Sequence, residues 1–208
     1  MMKLYGYFRS GAAYRVRIAL NMKGIAVEHS SRHLRNGEQR APDYLKINPQ
    51  GLVPALVLED GTILTQSLAI IEWLEEKYPT PALLPKDPIR RAKVRAAAMV
   101  IACDTHPVQN LRVLQRAKSV GGDDTAWAKS INEEGLAAFD TLIASEPGPF
   151  CFGATPTLAD VCLMPQLANA HRFKADISRF TRVLEAEKAC QGVKAFQDAA
   201  PERQPDRE

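Results

Sequence analysis

Ser10 supplies a hydroxyl in a turn of small and polar residues, Arg9-Ser10-Gly11-Ala12, set between an apolar run over residues 4–7 and a segment whose Val16, Ile18, Ala19 and Leu20 face inward. The first N–H groups of a helix lack internal partners and stand at the positive end of its dipole, so such a turn can stabilise a thiolate, carboxylate or phosphate. Gly11 and Ala12 bring backbone N–H groups to that spot. A second turn of the same kind is Gln66-Ser67, where Ser67 is placed to cap the next helix and its N–H to receive a carboxylate. Ser67 also reads as a plain cap, but its pairing with the first turn suits a ligand with anionic groups at separate points. Val53-Pro54 opens a strand: its bond is either trans, an ordinary strand start, or cis, which would turn the N–H and C=O of Val53 toward a ligand.

These residues need elements to hold them. The pattern predicts a strand over 3–7, a helix over 12–23 stopped by Gly24, and a strand over 26–33. A short helix near 43–47, a strand over 55–58, a turn at Glu59-Asp60-Gly61, a return strand over 62–64 and a helix over 67–78 follow. The order is βαβ then ββα, which places both helix starts at one end of a sheet. Four prolines between Pro79 and Pro88 read as a stiff linker. Beyond them the pattern is helical: a long helix from Ile89 interrupted at His106-Pro107, one over 125–144, one opened by the capping box Thr157-Leu158-Ala159-Asp160, and a last one over 179–199 before a loose polar tail. The domains expected are 1–82, a linker at 83–88, and a helical domain over 89–208.

The 208 residues are 46% hydrophobic, enough to bury a core, and the net charge of +3 comes from basic residues interleaved with acidic ones. That argues against a nucleic-acid partner. No apolar run suits a membrane span, and the N-terminus shows no signal-peptide pattern, so a cytoplasmic protein is expected. Cys103, Cys151, Cys162 and Cys190 show neither CxxC pairs nor metal-ligand spacing, and read as reduced, buried small residues; no metal site is expected.

The sequence resembles the zeta-class glutathione transferases, in particular the maleylacetoacetate and maleylpyruvate isomerases. The resemblance is carried by Tyr5-x-Tyr7-Phe8-Arg9-Ser10 with Arg15-Val16-Arg17-Ile18-Ala19-Leu20, by Asn48-Pro49-x-x-x-Val53-Pro54, and by Gln66-Ser67-x-Ala69-Ile70-Ile71-Glu72. Cys103-Asp104-x-His106-Pro107-x-x-Asn110, Thr157-Leu158-Ala159-Asp160 and Gln204-Pro205-Asp206 extend it over the whole chain. It implies an α/β thioredoxin-like N-terminal domain that binds glutathione, an all-α C-terminal domain that binds the second substrate, and a homodimer. In that reading Ser10 donates its hydroxyl to the glutathione sulfur and Gly11 and Ala12 present N–H groups. Val53, beside Pro54, pairs with the cysteinyl part, Gln66 and Ser67 hold the γ-glutamyl end, and Gln39 or Gln50 reaches the glycyl end. One departure is evident: the class usually reads Ser-Ser-Cys where this chain has Ser10-Gly11-Ala12, so no protein thiol stands in the turn.

The chemistry implied is reversible addition of a glutathione thiolate to the cis double bond of a dicarboxylic enone, rotation about the resulting single bond, and elimination to the trans isomer. Arg9, Arg112 and Arg172 are the cations expected at the substrate's oxygens, with Arg9 favoured by its place beside Ser10. His106 and Asn110 are expected to hydrogen-bond glutathione or substrate, although His106 also reads as a cap or core histidine. Arg15 and Arg17 read as surface or interface ion pairs. Alternatives are general glutathione conjugation, including attack on α-halo acids, and a non-catalytic glutathione-binding module.

Overall fold

Four short strands, β1 (Lys3–Gly6), β2 (Glu28–Ser31), β3 (Ala55–Val57) and β4 (Ile63–Thr65), form one sheet in the order β2-β1-β3-β4 in the computed structural model, which describes residues 1–208. Helix α1 (Gly11–Met22) makes the crossover between the parallel β1 and β2; α2 (Pro42–Leu45) lies in the connection to β3, and α3 (Ser67–Lys77) follows β4. β3 runs antiparallel to β1, with Ala55 opposite Tyr5, and β4 antiparallel to β3, with Thr65 opposite Ala55. β4 therefore runs in the direction of β1. The exits of both strands, the starts of α1 and α3, and the entry to β3 all fall at one end of the sheet.

The expected βαβ-ββα order is present, with element ends shifted by one or two residues. Every residue of α1 from Ala13 to Leu20 is buried, because the helix packs on α3 and on a helix near the C-terminus. Leu4, Ile18, Leu20, Leu56, Ile70 and Leu74 fill this core, each contributing about 1.5–3 kcal/mol of burial. Where α1 ends, Lys23 Nζ spends its three protons on Glu75 Oε2 at 2.8 Å, the Tyr78 carbonyl at 2.6 Å and the Pro81 carbonyl at 2.9 Å.

The chain divides into two compact units, Met1–Ala82 with Lys194–Glu208, and Leu83–Val193. The division differs from the expected segments at two points. Leu83 and Leu84 are buried, and the Leu83 carbonyl accepts from the N–H of Leu158 at 2.8 Å, so residues 83–88 belong to the helical unit instead of forming a separate stiff linker. The last fifteen residues join the first unit.

The helical unit contains α4 (Pro88–Met99), a π-helical turn Val100–Thr105, a 3₁₀ turn Pro107–Gln109, α5 (Leu111–Ser119), α6 (Asp124–Ile143), α7 (Leu158–Arg172) and α8 (Thr181–Gln191). The interruption expected at His106-Pro107 thus begins six residues earlier, as a π turn. Gly135 lets α6 approach that turn: a Cβ there would stand 2.1 Å from Thr105 Oγ1. All of α7 except Ala168, His171 and Arg172 is buried, and its Gln166 amide donates to Asn132 Oδ1 at 2.7 Å. The single last helix expected over 179–199 is instead two, α8 and α9 (Lys194–Ala199), separated at Gly192.

Candidate active site

Ser10 is the N-cap of α1: its hydroxyl oxygen accepts from the N–H of Ala13 at 3.2 Å, and its carbonyl from the N–H of Tyr14 at 2.8 Å. Capping uses one lone pair of the hydroxyl and leaves its proton to donate. Gly11 and Ala12 sit in the first turn, where a helix supplies no carbonyl for their N–H groups. Arg9 is half-buried, with its guanidinium 4.8 Å from the centre of the Phe8 ring.

Val53-Pro54 is cis. Both residues are buried, ahead of the first ladder pair of β3. At the start of α3 the expectation is corrected: Gln66, not Ser67, occupies the N-cap, and Ser67 is the first helical residue. Gln66 takes φ 68 and ψ 119, a left-handed conformation rare for a residue with a Cβ. The Ser67 hydroxyl is accounted for by Arg15, whose guanidinium donates to it at 3.3 Å.

Gln66 and Gln50 meet, the Gln66 amide donating to Gln50 Oε1 at 2.8 Å. Gln50 belongs to the turn in which Asn48 Oδ1 accepts its N–H at 3.1 Å and Gly51 takes φ +61. A Cβ on Gly51 would lie 3.2 Å from the Gln39 carbonyl, so a glycine allows these two loops to approach. Gln39 itself is buried; its amide donates to the Leu34 carbonyl at 3.3 Å, while its Oε1 has no hydrogen-bond partner. The first unit therefore brings Ser10, Gly11 and Ala12, Val53, and Gln66 and Ser67 to one end of the sheet, with Gln50 touching Gln66 and Gln39 beside the Gln50 turn.

In the helical unit, His106 closes the π turn, its N–H donating to the Ile101 carbonyl at 2.8 Å. Asn110 caps α5, Oδ1 accepting from Val113 at 3.3 Å. Arg112 follows, exposed, in the first turn of α5, whereas Arg172 is exposed at the end of α7, 4.5 Å from the Phe173 ring centre. His106, Asn110 and Arg112 form one continuous stretch, and Arg172 stands on a separate helix.

Several features depart from the sequence reading. Arg15 and Arg17 are not surface residues: they are 2% and 4% exposed. Arg17 donates to three main-chain carbonyls, those of Ala199 at 3.0 Å, Tyr7 at 3.4 Å and Phe8 at 3.1 Å, and burial lowers its pKa to about 10. The available signal was their position in α1, flanked by apolar residues on every side. Cys151, Cys162 and Cys190 are buried as expected, but Cys103 is exposed; burial, reinforced by Asp160, pushes the thiols of Cys151 and Cys190 well up.

The tail expected to be loose is instead bonded to the first unit. Asp206 Oδ2 accepts from the N–H of Phe8 at 3.0 Å and the hydroxyl of Ser31 at 2.7 Å. Glu208 pairs with His33 and accepts from the Tyr7 hydroxyl at 3.5 Å. Burial, then the Glu208 carboxylate, raises the pKa of Tyr7.

No group of three or more His, Cys, Asp or Glu residues is placed to hold a metal, and no helix is long and apolar enough to cross a membrane.

Comparison with known proteins matches residues 4–82 to the family model of the glutathione S-transferase N-terminal domain. A maleylpyruvate isomerase of Ralstonia sp is 45% identical over 212 residues, covering 99% of each chain. A holo structure of maleylpyruvate isomerase, described as a bacterial zeta-class glutathione S-transferase, superposes with a TM-score of 0.95 at 44% identity over 99% of this chain and 100% of that one. A maleylacetoacetate isomerase from Anaeromyxobacter dehalogenans 2CP-1, solved with glutathione in its active site, gives a TM-score of 0.91 at 43% identity over 100% of this chain and 98% of that one.

Proposed function

Because the chain belongs to the zeta-class glutathione transferase family that includes the maleylacetoacetate and maleylpyruvate isomerases, we propose that it is a glutathione-dependent cis–trans isomerase. Its substrate is a small dicarboxylic cis-enone, maleylacetoacetate or the closely similar maleylpyruvate. The observation that carries this reading is the convergence at one end of the sheet of the Ser10-capped helix start, Val53, and the Gln66–Ser67 turn.

Glutathione fits these residues. Its γ-glutamyl carboxylate suits the start of α3, where the N–H of Ser67 lacks an intrahelical partner and Gln66 is held in a strained conformation. Its cysteinyl peptide suits the backbone of Val53, and its glycyl end the Gln39–Gln50 region, where the buried Gln39 Oε1 lacks a donor that the glycyl amide N–H would supply. When bound, glutathione supplies a thiolate able to add reversibly to an activated double bond.

The Ser10 hydroxyl, its oxygen oriented by Ala13, donates its proton to the sulfur and holds it in the charged form; the start of α1 adds the positive end of its dipole. No protein thiol is needed in the turn, so Gly11 and Ala12 are compatible with the chemistry. Arg9, beside Ser10, binds substrate carboxylate and stabilises the charge that spreads onto the conjugated carbonyl. His106 and Asn110, hydrogen-bonding to glutathione or substrate, and Arg112 and Arg172, pairing with carboxylates, are the contributions assigned to the helical unit. A homodimer in the cytoplasm completes the reading, in keeping with the reduced cysteines.

The test is an ultraviolet assay with maleylacetoacetate and maleylpyruvate while free glutathione is titrated. Catalytic turnover with glutathione undiminished is expected, and Ser10→Ala should lower kcat/KM about 100-fold by removing one preorganised donor. Stoichiometric loss of glutathione would identify a conjugating transferase, and binding without turnover a ligand module.

A further inference from the structure

Phe8 is the residue through which the chain leaves β1 and enters the Arg9-Ser10 turn, and its peptide groups are held from both ends. Its N–H donates to Asp206 Oδ2 at 3.0 Å, and its carbonyl accepts from Arg17 at 3.1 Å. The neighbouring Tyr7 carbonyl takes both a second Arg17 N–H at 3.4 Å and the N–H of Ser10 at 2.9 Å. Arg17 reaches back to the C-terminal segment as well, donating to the Ala199 carbonyl at 3.0 Å. An anion on the N–H and a cation on the C=O match the peptide dipole and make both bonds charge-assisted.

The same Asp206 oxygen accepts from Ser31 at the end of β2. One carboxylate thus ties together the exits of β1 and β2. The tail is not packed densely beneath these bonds: Gln204, Pro205 and Asp206, with Tyr7, Arg17 and Ser31, border a cavity of about 210 Å³. Asp206 is therefore held by hydrogen bonds more than by close packing, a loss the fold can survive.

Resting on the isomerase reading above, we propose that Asp206 is a positioning residue for the reaction. Acting through the peptide of Phe8, with Arg17 as its counterpart, it fixes the direction in which Arg9 and the Ser10 hydroxyl leave the sheet. The C-terminal tail is then part of the active-site scaffold although Asp206 itself touches neither ligand.

Full-length wild type, Asp206→Ala and Asp206→Asn are compared by ligand-free hydrogen–deuterium exchange, by glutathione calorimetry and by isomerase assay. Asp206→Ala should speed exchange in the peptide covering residues 7–13 about ten-fold and leave residues 83–193 unchanged. It should weaken glutathione binding and lower kcat/KM, each about ten-fold, because a displaced hydroxyl meets the sulfur poorly. Asp206→Asn should recover part of each effect, its amide oxygen still accepting from Phe8. Exchange over 7–13 equal in all three proteins overturns the proposal. So does acceleration spread evenly through residues 1–82, which marks a bond serving stability alone. Should Asp206→Ala not fold, Asp206→Asn must show the localised acceleration by itself. A wild type that neither binds glutathione nor isomerises removes the functional reading, and exchange over 7–13 still decides the role of Asp206 in holding the turn.

Discussion

Gln66 carries a cost that its visible contacts do not offset. A residue with a Cβ at φ 68 and ψ 119 is strained by about 1–3 kcal/mol, and its one side-chain bond, to Gln50, lies in solvent. Such strain persists where the surroundings impose it, and here it turns the chain from β4 into α3 at the end of the sheet where α1 also starts. Gln66→Gly should therefore leave the unfolding free energy unchanged or raise it by up to about 1 kcal/mol, while calorimetry shows glutathione bound about ten-fold more weakly for want of the amide. A destabilised variant with full affinity would count against the assignment. The strain was not legible in the sequence, since nothing local to Thr65-Gln66-Ser67 forces a positive φ; it arises from the join between a short strand and a helix fixed by packing. That a hydroxyl stands at the start of α1 was legible, because Ser10 lies between an apolar strand and an apolar helix; its capping bond from the N–H of Ala13 is what the structure adds. The burial of Arg15 and Arg17 was marked only by their apolar neighbours in α1; their partners, which include Ser67 and Ala199, are distant in sequence and could not be read from it.

At the scale of elements, α7 shows how far a local signal reaches. Thr157-Leu158-Ala159-Asp160 announces a capping box, and Asp160 Oδ2 does accept from the N–H of Thr157 at 2.8 Å and from its hydroxyl at 2.9 Å. The other carboxylate oxygen accepts from the N–H of Cys151 at 2.9 Å and lies 3.8 Å from the thiol of Cys190. Asp160 is fully buried, so it pins the loop before α7 and the end of α8 to the helix start. The spacing could show only the first pair of bonds, because the others join residues nine and thirty positions away. An ordinary cap is worth about 1 kcal/mol, whereas removing Asp160 leaves the buried N–H groups of Cys151 and Thr157 without their acceptor, at about 1–3 kcal/mol each. Urea unfolding should place Asp160→Ala in the higher range and Thr157→Ala near the lower one; equal losses would mean that the distant bonds contribute nothing.

The chain folds as two compact units, and the sequence marked that division by the change from alternating strand and helix patterns to helix alone. It did not mark the return of Lys194–Glu208 to the first unit, because a short polar tail carries no periodicity, and the bonds of Asp206 and Glu208 become visible only once β1 and β2 are side by side. The proposed function assigns glutathione to the first unit and cationic side chains for the second substrate to Arg9, Arg112 and Arg172. Hydrogen exchange can separate these assignments. Glutathione at about 100 times its dissociation constant stabilises the state that binds it by about 2.7 kcal/mol, so amide exchange should slow at residues 10–13, 53 and 66–69 and in the Gln39–Gln50 loops. Maleate, a dicarboxylate with the cis double bond but no ketone, should then add protection over residues 106–112 when glutathione is already present. This second effect should fade as salt rises, since it depends on the attraction of exposed guanidinium groups for carboxylates. Glutathione protection confined to residues 83–193 would contradict the site built around Ser10, because none of the backbone groups assigned to the tripeptide lies there.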